Sequence, residues 1–197
     1  SYMYTALLDS CVLWPSLQRD FLLSLAAEGA YRFVFSESIL SEVETNEELK
    51  LIDRGRDLDG SRADALHLSS RMRESFADSI VYGWEGLEGT YGLPDPDDEH
   101  VLAAAVVGGA GCIVTENMRD FPLDNIPEGL QIIGAVDFAH ETVSMRPDLG
   151  AAAVTAWAQR SGRKYAAMSE ADFLDELDRR YELNAATAIV RNYFDSK

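Results

Sequence analysis

The chain has 197 residues, 47% of them hydrophobic and 26% charged, which bounds it to one globular domain or one domain with a small appendage. Its formal charge is −17, from 34 acidic against 17 basic residues; this argues against a broad basic face for nucleic acid and favours a solvated acidic shell, a basic protein partner or chemistry that needs cations. No apolar run approaches a membrane span and no basic-then-apolar leader opens the sequence, so a cytoplasmic protein is expected.

Ser1 and Tyr2 precede Met3 and read as remnants of cloning or processing. Residues 4–9 are a short apolar run ending in an acid, which predicts a buried strand. From Pro15 onward, Leu17, Phe21, Leu22, Leu25 and Ala26 share one face as far as Gly29, predicting an amphipathic helix. Residues 31–35 are aromatic and β-branched and predict a second strand. Ser36 or Ser38 caps the next helix, which has Ile39, Leu40 and Val43 on its apolar side. The charged stretch 45–75 reads as helical, and 79–83 as a third strand.

The segment "LPDPDDEHVLAAA", residues 93–105, sets three aspartates and a glutamate ahead of a small, apolar helix in which Val101, Leu102, Ala105, Val106 and Gly109 recur at helical spacing. Residues 111–117 predict a buried strand leading into a polar loop, and 130–134 a last strand. Strands alternating with helices imply an α/β fold with a central parallel sheet flanked by helices. After Val136 the pattern becomes purely helical, with segments at 149–160, 171–181 and 185–194. The expected division is a sheet domain at 3–136 and a small C-terminal helical appendage at 137–197.

In parallel sheets, ligands gather outside the carboxyl ends of the strands. Asp9 sits at one such end and Thr115-Glu116-Asn117 at another, while Glu42 and the acids at 95–98 lie on or before neighbouring helices. Each has a bland counterpart. Asp95-Pro96 is a good helix start, and capping and metal binding both stay open for Asp95 and Asp97. The functional reading leads for Asp98, in the first turn of its helix. Asp9 ends a buried strand and therefore needs a hydrogen bond, a partner or a cation. Glu42 alone reads as an exposed helix glutamate, Asn117 as a turn residue, and His100 as a packing or surface residue. His67, His100 and His140 are too far apart for a local zinc motif, and Cys11 and Cys112 read as buried thiols. Clustered carboxylates repel one another unless a cation lies between them. Hard oxygen donors suit Mg2+ or Mn2+.

The stretches "LLDSCVL", "SESILSEVETN" and "LPDPDDEHVLAAAVVGGAGCIVTENMRDFP" resemble the PIN domain, and in particular the VapC-type toxins of bacterial toxin–antitoxin pairs, over residues 3–136. The resemblance implies a PIN-like fold and a Mg2+-dependent endoribonuclease, with Mn2+ as a substitute. Its partners would be RNA, a cognate antitoxin and a second copy in a homodimer. It places the family's acids on Asp9, Glu42 and Asp98. The final acidic position falls on Asn117, a departure from the commonest pattern, with Asp120 close by. Metal ligation is expected at Asp9, Asp98, Glu42 and Asp120, and catalysis at Asp9, Glu42, Asp98 and Asn117. Ser10 and Thr115 match polar positions beside the site, and Arg119 and Arg32 are candidates for phosphate contacts.

Two other phosphate chemistries fit less well. A haloacid-dehalogenase phosphohydrolase needs a second aspartate where Cys11 stands, and a receiver domain wants a lysine where "TENMRDFP" offers Arg119. The alternative of another class is a PIN-like module that binds or regulates without cutting, for which Asn117 and the acidic surface leave room.

Overall fold

Short apolar runs become strands here, and the polar residues Asp9 and Thr115 close two of them, Asp9 by capping the helix that follows. The computed structural model describes residues 4–163 and 166–197; Ser1, Tyr2 and Met3 lie outside the described residues. The strands are β1 (Thr5–Leu8), β2 (Arg32–Val34), β3 (Cys112–Val114) and β4 (Gln131–Ile133). They form an all-parallel sheet in the order β2-β1-β3-β4. At its centre Ala6, Leu7 and Leu8 of β1 pair with Cys112, Ile113 and Val114 of β3. None of these six side chains reaches solvent, which is why both strands read as unbroken apolar runs and not as alternating ones.

The strand expected at 79–83 does not form. Ala77–Ser79 turns as a 3-10 helix, Ile80 makes a single parallel bridge to Phe35, and Gly83 leaves the extended region with φ +77°. One bridge leaves the rest of the segment without a ladder to hold it extended.

The helices are α1 (Ser10–Leu13), α2 (Ser16–Ala27), α3 (Glu37–Asp53), α4 (Leu58–Ser75), α5 (Glu99–Val107), α6 (Ala135–Met145), α7 (Pro147–Ser161), α8 (Glu170–Tyr181) and α9 (Asn184–Asp195). Ser36 caps α3, its hydroxyl oxygen accepting from the Ile39 amide at 3.2 Å. The charged stretch forms the end of α3 and all of α4. Arg73 of α4 binds Glu37 of α3 through two bonds of 2.9 Å, and Arg62 reaches Glu44 and Glu48. α6 is an element beyond those expected: Asp137, His140 and Glu141 interrupt its apolar spacing, yet Ala135, Phe138, Ala139, Thr142 and Val143 are buried along one side.

The chain divides into two compact units. One joins Thr5–Trp14 to Phe33–Ile132 and holds most of the sheet with α1, α3, α4 and α5. The other joins Pro15–Arg32 to Ile133–Lys197 and holds α2 with the last four helices. In that helical unit Phe21 meets Phe173 edge-on at 6.2 Å, Phe173 stacks on Trp157 at 3.8 Å, and Tyr31 meets Phe138 edge-on at 4.9 Å. On the apolar faces of α2 and the tail helices, Phe21, Leu22, Leu25, Phe173, Leu177 and Val190 are fully buried, because these faces cover one another. Among the described residues no helix is long and apolar enough to cross a membrane.

Candidate functional site

The site is built where β1 and β3 end. The pairing of Leu8 with Val114 sets the next residues, Asp9 and Thr115, side by side, and the Asp9 amide continues the ladder by donating to Val114 O at 3.0 Å. Asp9 also caps α1: one carboxylate oxygen accepts from the Ser10 amide at 2.8 Å. The other accepts from the Thr115 hydroxyl at 3.0 Å, with the Cys11 thiol at 3.7 Å. The buried acid that sequence reasoning singled out is therefore hydrogen-bonded on both oxygens. Burial raises its pKa, and the bonds from Ser10 and Thr115 recover only part of that.

Glu42, on α3, is held from two sides. Ser10 donates its hydroxyl to Oε2 at 2.6 Å, and His100 Nε2, on α5, lies 2.5 Å from Oε1. Burial works against its ionisation, but these two contacts outweigh it and hold the carboxyl below the usual range. His100 answers in the opposite sense: burial pulls its pKa down, and the Glu42 contact more than restores it, so the net shift is upward.

The acidic segment is shaped by its own carboxylates. Asp95 accepts from the Asp97 amide at 2.9 Å and caps the 3-10 turn Pro96–Asp98, so Asp95 is the capping residue, while Asp97 is exposed. Glu99, 2% exposed, accepts from the Tyr91 and Leu93 amides at 2.9 Å each and ties down the loop that carries the acids. Asp98 stands at the start of α5 and makes no capping bond. Burial, then Asp120, Asp95, Asp9 and Glu42, push its pKa up to about 6. All five influences act in the same direction and none is a positive group, so these carboxylates share one electrostatic neighbourhood.

Asn117, two residues after Thr115, donates its amide to the Thr115 hydroxyl at 3.1 Å; its side chain is exposed and makes no cap. Asp120 is half-buried and Arg119 exposed in the 3-10 turn Met118–Asp120 just beyond β3. Arg32 opens β2 at the amino end of its strand, where its amide donates to Tyr4 O at 2.7 Å. It is not among the residues at the carboxyl ends of the strands.

Two side chains at the site were not anticipated. From sequence His100 reads as a packing or surface residue. Its position on a helix whose other residues from Glu99 to Ala105 are all buried was the available signal, because a buried imidazole needs a partner. Cys11 reads from sequence as a buried thiol. Its sulfur accepts from the Glu116 amide at 3.4 Å and lies 3.4 Å from the Thr115 hydroxyl. Burial and the nearby Asp9 push its pKa up to about 11, so it stays a neutral thiol.

The donor chemistry fits a hard divalent cation. The groups are carboxylate oxygens from separate segments, and their mutual repulsion is what a cation relieves. The spacing is not closed: among the described residues no three His, Cys, Asp or Glu side chains already form a metal-holding group, and Asp9 and Glu42 are each turned to protein donors.

A family model described as the PIN domain matches residues 5–119, more than half of the chain. No curated protein matches it, and no solved structure does.

Proposed function

We propose, because this chain belongs to the PIN-domain family, that it is a Mg2+-dependent endoribonuclease of the VapC type, the toxin of a toxin–antitoxin pair. PIN domains are generally nucleases that use divalent metals, which supports hydrolysis of phosphodiester bonds. The observation that carries the reading is the β1–β3 register, which sets Asp9 beside Thr115 at the carboxyl ends of the strands; burial and the charges of Asp120, Asp95, Asp9 and Glu42 push the Asp98 carboxyl up to about 6. Carboxylates drawn together at this cost to their own ionisation suit a site that takes a cation.

Asp9 and Asp98 would hold the ion, with Asp120 supplying the charge that Asn117 lacks and Glu42 available as a further ligand. When bound, the ion supplies Lewis-acid polarisation of the phosphodiester and lowers the pKa of water. The chain's own groups do the rest. Ser10 and Thr115 keep Glu42 and Asp9 oriented. Glu42, held ionised, takes the proton of the attacking water on a lone pair that Ser10 and His100 leave free; an ionised carboxylate has about four such positions. The water oxygen bonds to phosphorus, the P–O3′ bond breaks, and the proton leaves with the 3′ oxygen, so the products are a 3′-hydroxyl and a 5′-phosphate. No ribose hydroxyl takes part, so preference for RNA comes from binding. Arg119, exposed beside the acids, is the contact for a flanking phosphate. Arg32 would act only on a more distant part of the strand. A basic antitoxin suits the net charge of −17, and a homodimer, a cytoplasmic location, and the division into a nuclease domain at 3–136 and a helical extension at 137–197 accompany the VapC reading.

A second reading, a PIN-like module that binds RNA without cutting it, is favoured by one observation: Asn117 removes a charge where the commonest pattern has an aspartate. Cleavage of labelled RNA by the wild type and by Asp9→Asn, with and without Mg2+, separates the two. The nuclease reading expects cleavage only with Mg2+ and a loss of at least about a hundredfold in Asp9→Asn. RNA binding with no Mg2+-dependent cleavage in either protein would leave the binding module.

A further inference from the structure

We infer that His100 is the positioning residue for Glu42, acting with Ser10 to pin both oxygens of that carboxylate beside Asp9. Its effect on cleavage rests on the nuclease reading above; the contact itself does not.

Three elements meet in this arrangement. Ser10 begins α1 directly after Asp9, α3 brings Glu42, and α5 brings His100 two residues after Asp98. The Ser10 hydroxyl holds Oε2 at 2.6 Å and the His100 ring holds Oε1 at 2.5 Å. The His100 side chain is 10% exposed and the Glu42 side chain 41%. The carboxylate is thus gripped from the buried side and presented to solvent on the other. Trp84, itself buried, lies with its ring centroid 6.0 Å from that of His100. Among the described residues His100 Nδ1 is buried with no partner. A buried ring nitrogen left unsatisfied destabilises the fold, and an aliphatic residue there would suit an otherwise apolar helix. What the imidazole offers in return is the Nε2 contact to Glu42. A glutamate fixed before substrate arrives need not lose rotamer freedom in the reacting complex.

The test uses the full chain with 15N-labelled histidine. In the metal-free wild type, the Nε2–H proton of His100 is expected as a protected, downfield resonance. Glu42→Ala abolishes it and leaves the His67 and His140 signals in place. In the cleavage assay, His100→Ala lowers kcat by at least about tenfold with KM for RNA within about twofold. His100→Gln, whose amide nitrogen reaches the position of Nε2, restores most of the rate. A merely structural histidine would give equal loss with Ala and Gln. The inference is overturned if Glu42→Ala leaves the His100 resonance unchanged, or if a folded His100→Ala cleaves like the wild type. If the wild type cleaves no RNA but the resonance behaves as expected, the nuclease reading falls and the clamp on Glu42 stands.

Discussion

Asp98 titrates near 6 because burial and four neighbouring carboxylates all oppose its ionisation. The sign of the consequence follows from linkage. Between about 4 and about 6 the folded protein holds a proton that the unfolded chain has released, so this group's contribution to stability is largest at low pH and declines as pH rises through that window. Asp9, also raised, acts in the same sense. Glu42, lowered by His100 and Ser10 despite burial, acts oppositely: its contribution is present at neutral pH and lost as pH falls. In the metal-free protein Asp98→Asn should therefore gain stability relative to the wild type as pH rises from about 4 to about 7. Urea midpoints measured across that range check it; a difference that does not change with pH would contradict the assignment. The acids themselves were legible because Asp9 ends an apolar run and Asp98 stands just ahead of one. The bond between Glu42 and His100 was not, because it joins residues 42 and 100 only after α3 and α5 have been placed, and no local pattern announces it.

At the scale of elements, the cap and the ion pairs that frame α3 and α4 differ in weight. Ser36 is fully buried and its hydroxyl satisfies the Ile39 amide, so Ser36→Ala should cost about 1 kcal/mol or more. Arg73 and Glu37 are both close to half exposed, so Arg73→Ala should cost less than about 1 kcal/mol and lose even that in high salt. Urea unfolding of the two variants at low and high salt should rank them in this order. β1 and β3 were readable because burial on both faces makes a strand uniformly apolar, and α2 and α8 because one face repeats. The segment 79–83 misled because apolar and β-branched residues describe a strand only where a neighbour offers a full ladder, and here Phe35 offers one bridge. α6 was missed because Asp137, His140 and Glu141 mask a buried side that only the packed helices define.

Across the whole molecule, charge and burial point to separate experiments. The helical unit is centred on Phe173, fully buried between Phe21 and Trp157, and Phe173→Ala should cost about 3–5 kcal/mol without removing any carboxylate of the site; denaturant unfolding followed at Trp157 would register it. A net charge of −17 makes added monovalent salt stabilising for wild type and variants alike, through screening. A divalent ion bound by Asp9 and Asp98 would add to that only where both acids remain. Calorimetric titration of Mn2+ into the metal-free wild type, Asp9→Asn and Asp98→Asn at fixed ionic strength is the most direct test. Saturable binding to the wild type that weakens at least about tenfold in each variant is the predicted result; equal binding by all three proteins, or none by the wild type, would contradict a cation site at these strand ends.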